Sequence, residues 1–226
     1  MTPRERFIQM ATEYGTLLNA VKEFHDEIVS AGRPNHGHGW DHDTMVAQYA
    51  LLIADEPRVG EMAWVAGLLH SLDRHLQSET ATNAQVAEFL VLLPSGSFST
   101  NEQLQIMKAI KEHSKRNSDE DGPVTIALKD ADRLANIGPI NLFRGGQHRP
   151  NIPACIPQYL DRMHPRSTFR EPACCLDGTR YNLEWEEMLR LPKAKVLGKP
   201  YFEYYREFHK LAIHQMEEIG LFPWPL

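Results

Sequence analysis

Apolar positions along the chain recur at intervals of three and four residues, and strict alternation is nearly absent, so the pattern predicts helices rather than strands. Over residues 3–30, Phe7, Ile8, Leu17, Leu18, Val21, Phe24 and Ile28 mark one long helix. The Gly/Pro/Asn-rich stretch AGRPNHGHGWD (31–41) reads as a loop. A helix is predicted over 42–55 and is broken by DEPRVGE. The next, over 59–72, is apolar nearly all round and should be central and buried. Further helices are predicted over 83–92, 101–113 and 124–136, then a short one near 184–190 and a long amphipathic one near 199–220. Between them, residues 138–180 are rich in Pro, Gly and Arg and read as an irregular excursion, of the kind that often forms lids or binding loops. The expectation is an all-α protein, a single helical domain over 1–226.

Composition adds bounds. The chain is 42% hydrophobic and 24% charged, enough for one sizeable core. Its net charge of -6 argues against a nucleic-acid polymer as partner, while leaving room for a local basic pocket that takes a phosphorylated small molecule. The three cysteines, Cys155, Cys174 and Cys175, show no CxxC spacing, so neither a disulfide framework nor a cysteine zinc site is expected. No run approaches the length of a membrane span and the first residues hold no signal-peptide core, so a cytoplasmic protein with no membrane partner is expected. The helical C-terminus and four tryptophans are compatible with a homodimer.

Candidate chemistry lies on separate helices: His42 at the start of the second, His70 at the end of the buried third, Asp130 and Asp132 in LKDADRLANIG. Each also has a structural reading. His42 could sit at a helix start with Asp41 and Asp43 as caps, and His70 could be a core histidine bonded to a carbonyl, since an unpaired buried imidazole costs about 1–3 kcal/mol. Asp132 could pair locally with Arg133 or Asn136. At about 100° per residue, Val124, Ala127, Leu128, Ala131, Leu134 and Ala135 form one apolar face. Asp130 and Asp132 flank it on opposite sides, so periodicity does not choose between them. His113 continues the stripe of Leu104, Met107 and Ile110 and should point inward.

Taken in order, these residues resemble the H…HD…D pattern of HD-domain metal-dependent phosphohydrolases, and more closely a subgroup of small bacterial HD proteins. GHGWDH (37–42) is similar to that subgroup's GHDWxH, AGLLH (66–70) to AxLLH, His113-Ser114 to its histidine-serine pair, and DADRLANIGPINLFRGG (130–146) to DADRLDAIGxIGxxRxxxxGG. The likeness covers about residues 20–150 and, loosely, the C-terminal helix. It implies an HD-domain-like helical bundle with a divalent metal (Mn, Fe, Ni, Co, Zn or Mg) held by His42, His70 and Asp132. By the same likeness His113 would face the substrate, and His38, Lys115, Lys129, Arg133, Arg144 and Arg149 would be candidates for binding its anionic groups, each basic residue being otherwise a solvated charge.

The chain departs from that pattern at Gly39, Ala135 and above all Ser71, which stands where the HD pair has its aspartate. On a continuous helix, Asp73 would lie about 60° round from His70 and one turn on, within reach of a metal directly or through a water; the other reading pairs it with Arg74 or His75 at the surface. The expected function is a phosphohydrolase acting on a nucleotide or another small phosphorylated metabolite, with Asp73 and His113 as catalytic residues. The alternative is a non-catalytic HD-like binding or interaction protein that lost its metal with Ser71. Di-iron oxidation ranks third, because it generally uses an intact HD pair.

Overall fold

The computed structural model describes residues 1–35 and 37–224, so His36, within the predicted loop 31–41, lies outside the described residues. Among the described residues the protein is all-α, with no strand. The chain divides into two compact units, residues 1–135 with 190–194, and residues 136–189 with 195–226.

The first unit begins with α1 (Pro3–Glu13), opened by a capping box in which Thr2 and Glu5 satisfy each other's backbone N–H groups. The predicted helix over 3–30 is interrupted at Tyr14, and α2 follows over Gly15–Ser30. The Tyr14 backbone leaves the helical region, and its ring is buried against Trp64 and Phe98 at centroid distances of 6.1 and 5.7 Å. Tertiary packing of one aromatic thus overrides a local pattern that would run on.

Next come α3 (Trp40–Ile53), α4 (Pro57–Leu69), the short α5 (Leu72–Leu76), α6 (Glu79–Val91), α7 (Thr100–Glu112) and α8 (Pro123–Ala135). Helices α3, α4, α7 and α8 pack on one another to form the core. Val65, Ala66, Leu68 and Leu69 of α4 are wholly buried, as the continuous apolar run of 59–72 predicts. The α3–α4 approach is close enough that a Cβ on Gly67 would stand 2.6 Å from the Ala47 Cα, a distance no side chain tolerates. Where 59–72 reads as one helix, the structure ends α4 at Leu69: the backbone turns at His70 and Ser71, and α5 starts anew at Leu72. Asp130 of α8 is fully buried and accepts the backbone N–H groups of Arg190 and Leu191, each at 2.8 Å, which fastens residues 190–194 to this unit.

In the second unit the stretch predicted as irregular holds α9 (Pro139–His148) and α10 (Cys175–Asn182) at its ends, with a 3-10 turn (Pro157–Tyr159) between. A four-residue helix, α11 (Trp185–Met188), follows. The last helix, α12 (Pro192–Glu218), starts earlier than 199 because Pro192 is well suited to a first turn, and it accommodates Pro200 inside. Leu160, Cys174 and Leu176 form this unit's apolar cluster with Phe208, Ala212 and Ile213 of α12.

Candidate metal centre

Three helices of the first unit bring His42, His70 and Asp132 together, with their ligand atoms all within 4.8 Å of one another. His42 sits in the first turn of α3, whose N-cap is Gly39. His70 is the C-cap of α4, and Asp132 lies on α8. The two imidazole Nε2 atoms are 3.1 Å apart, and Asp132 Oδ1 stands 3.4 Å from His42 Nε2 and 3.8 Å from His70 Nε2. Both histidines are buried, while the Asp132 side chain keeps 24% of its surface open to solvent.

Hydrogen bonding fixes which nitrogen of His70 faces the cluster. Its Nδ1 donates to the Gly67 carbonyl at 2.7 Å, so the proton resides there and Nε2 presents a lone pair toward His42. His113, the C-cap of α7, is oriented in the same way: Nδ1 donates to the Ile110 carbonyl at 2.6 Å, and the ring stands perpendicular to His70 at 5.0 Å. Burial is the main reason the His70 imidazole is pushed down to about 4, which keeps it neutral and able to ligate. Burial works to raise the Asp132 carboxyl, but the His42 hydrogen bond and the surrounding imidazoles of His70, His42 and His113 outweigh it and hold that carboxyl well below its usual range.

These residues fit a divalent ion. Ligand atoms about 2.1 Å from one tetrahedral ion stand about 3.4 Å apart, and the separations of 3.1, 3.4 and 3.8 Å straddle that value. The donor set, two imidazoles and a carboxylate, suits the borderline first-row metals.

Behind His70 lies Asp43, for which the sequence offers a helix cap as one reading. Asp43 is fully buried, not a cap; its Oδ2 accepts from Ser71 Oγ at 2.6 Å and from His25 Nε2 at 3.0 Å. Its Oδ1 is 3.7 Å from His70 Nδ1. Burial acts to raise this carboxyl, but the His25 hydrogen bond and the charges of His70, His25 and His42 win, and it is lowered. The one signal in the sequence is its place directly after His42.

The other predicted residues divide. His38 lies beside the centre, its ring 5.3 Å from that of His42; burial forces its pKa far down, and its carbonyl accepts from His75 Nε2 at 2.7 Å. Asp73 is not brought into the ligand cluster. The break at His70–Ser71 removes the helical register that would have aimed it there, and its carboxylate lies 3.6 Å from Arg74 Nε. Lys129 is a correction: it is buried, and its ammonium is taken up by both Asp121 oxygens at 2.8 Å and the Arg116 carbonyl at 2.9 Å, which uses all three donors. Arg133 is also buried, donating to Asp130 at 3.3 Å and Asn117 at 2.8 Å. Lys115 is exposed and paired with Glu112. Arg144 and Arg149 belong to the second unit, where Arg144 donates to Asn136 Oδ1 at 3.1 Å and Arg149 caps the end of α9.

No family model matches the chain, and no curated protein matches it. Solved structures do, over nearly its full length. A protein from Lactobacillus plantarum superposes with a TM-score of 0.64 at 19% identity, covering 90% of this chain and 98% of that one. Bacillus subtilis YpgQ, in complex with ADP, gives 0.62 at 18% identity, covering 92% and 99%. An HD-superfamily hydrolase from Bacillus thuringiensis gives 0.63 at 17% identity, covering 97% and 100%. The chain therefore has the helical fold of HD-superfamily proteins. No helix among the described residues is long and apolar enough to cross a membrane.

Proposed function

We propose that this protein is a metal-dependent phosphohydrolase acting on a nucleotide or another small phosphorylated metabolite. The observation that carries the reading is the convergence of His42 Nε2, His70 Nε2 and Asp132 Oδ1 beside the inward ring of His113. The HD-superfamily hydrolase and the ADP complex of YpgQ among its structural neighbours support the reaction class and the nucleotide.

A divalent ion (Mn, Fe, Ni, Co, Zn or Mg) bound there supplies Lewis acidity toward a phosphoryl oxygen. His42 and His70 offer their Nε2 lone pairs, and Asp132 adds negative charge at the edge that opens to solvent. His113, with Nδ1 committed to the Ile110 carbonyl, presents Nε2 to take up or hand over a proton or to donate to a phosphate oxygen. His38, its ring 5.3 Å from that of His42, is a candidate for contacting the substrate.

A second reading, a nucleotide-binding protein without turnover, is favoured by Ser71: its hydroxyl is directed to Asp43, so position 71 offers no carboxylate to a metal. One experiment separates the two. The purified protein is analysed for bound metal, then incubated with nucleotides and generic phosphate esters plus Mn. Turnover that chelation abolishes is the expected result. Nucleotide binding without turnover under any divalent ion would replace the first reading by the second.

A further inference from the structure

The chemistry above leaves Asp43 without a role, yet its carboxylate is wholly buried against the centre. A buried carboxylate is expensive unless its charge is balanced and its oxygens are bonded. Here two donors, Ser71 Oγ at 2.6 Å and His25 Nε2 at 3.0 Å, converge on Oδ2. Oδ1 has no hydrogen-bond partner and stands 3.7 Å from Nδ1 of His70. Nδ1 is the edge of the imidazole opposite Nε2, so the carboxylate sits behind the ring whose front faces His42 and Asp132. The residue that orients it is Ser71, the position that would carry the carboxylate of an HD pair.

We propose that Asp43 replaces position 71 as the second negative charge of the metal centre, acting as a positioning residue from behind His70 instead of as a ligand. The proposal rests on the metal reading above. Imidazoles that ligate are neutral, so Asp132 alone balances half the charge of a divalent ion, and Asp43 supplies the other half. The negative charge of a carboxylate close behind a ligating imidazole also favours a cation at the nitrogen in front, while the Gly67 carbonyl holds the ring. Helix α3 delivers both parts: His42 as ligand, and Asp43, one residue on, as the counter-charge at the neighbouring ligand.

The test is metal affinity, measured by calorimetric titration of the metal-stripped full-length protein with Mn and with Zn, alongside circular dichroism. Asp43→Asn keeps the shape and removes the charge, and is expected to bind about 10- to 100-fold more weakly than wild type. The double variant Asp43→Asn/Ser71→Asp returns the carboxylate to position 71 and is expected to recover most of that loss, which a merely structural role for Asp43 would not give. A folded Asp43→Asn variant with wild-type affinity, or a double variant that gains nothing, overturns the proposal and leaves the metal centre standing. A wild-type protein that binds neither ion overturns both. If Asp43→Asn does not fold, Ser71→Ala decides: it frees Oδ2 of one donor, so weaker binding is expected and unchanged affinity overturns the proposal.

Discussion

Each unit of the protein buries an assembly of acidic residues and histidine, and the two differ in what they leave over. In the second unit, Asp177 accepts from the His164 backbone and Ser167 Oγ on one oxygen and from Arg180 on the other. Thr179 donates to the Leu176 carbonyl and accepts from His209 Nε2, both at 2.8 Å. Both oxygens of the buried carboxylate there are taken by donors. In the first unit, His42 and His70 turn their Nε2 atoms toward each other and toward one carboxylate, so three ligand atoms face one point. A saturated assembly holds a fold together; a convergence of ligand atoms on one point suits a cation. The presence of buried histidine and aspartate does not distinguish them, but the convergence of ligand atoms does.

The sharpest way to break this contrast is to remove one member from each side. If the proposed function holds, Asp132→Asn should abolish tight divalent binding and lower the proposed phosphohydrolase activity about a thousandfold, since a metal's Lewis acidity is worth several kcal/mol and each 1.36 kcal/mol is tenfold in rate. Its unfolding free energy in the metal-free state should fall only modestly, because the carboxylate loses the His42 interaction but is partly solvated. Asp177→Ala should do the reverse. It removes a fully buried carboxylate to which Arg180, Ser167 and the His164 backbone donate, and should cost about 3 kcal/mol in urea unfolding, with metal affinity unchanged. Equal effects of both substitutions on metal affinity would erase the distinction.

A smaller effect separates the two by their backbones. Gly67→Ala would push a Cβ to 2.6 Å from the Ala47 Cα and 2.7 Å from its nitrogen, where neither helix can yield by turning a side chain. About 2 kcal/mol of destabilisation is expected, with weaker metal binding, because the Gly67 carbonyl fixes the His70 tautomer. Gly178→Ala in α10 meets only Pro172 Cγ at 3.7 Å and should stabilise by up to about 1 kcal/mol, the helix propensity difference. Thermal melts of the two variants should move in opposite directions.

The core helices α3, α4, α7 and α8 were legible because each must bury an apolar stripe, and burial leaves its period in the sequence. The ligands were legible only as an ordered set, and periodicity alone did not choose between Asp130 and Asp132; the resemblance did. Both flank the same apolar face; what separates them is that the N–H groups of residues 190 and 191, about sixty positions on, claim Asp130. Lys129 and Arg133 read as anion binders because nothing local shows that Asp121, Asn117 and Asp130 already hold them. Asp43 was hidden for a different reason: an acidic residue in a first helical turn is well explained as a response to the helix dipole, and only the fold shows that its side chain turns inward to Ser71 and His25. The reading of Asp73 depended on a helix that continues through Ser71, and the backbone turn there is a tertiary choice.

The last expected effect concerns protons in the saturated assembly. Burial, with Arg180 adding to it, pushes His209 from an ordinary value of 6.5 down to about 4. The unfolded chain therefore binds a proton that the folded chain refuses between those values. The stability that His209 contributes is fully present above pH 6.5 and is lost as the pH falls toward 4, up to about 2 kcal/mol between pH 7 and 5. His209→Gln retains an N–H donor for Thr179 but cannot be protonated, so its urea midpoint should fall less steeply than that of the wild type over this window, and the two should run parallel above pH 7. The His70 imidazole, also pushed down to about 4, contributes a slope of the same sign that this variant leaves untouched. Identical midpoints for wild type and variant at pH 5 and at pH 7 would show that His209 is not held neutral by its burial, and the saturated assembly would then have to be redrawn with an imidazolium inside it.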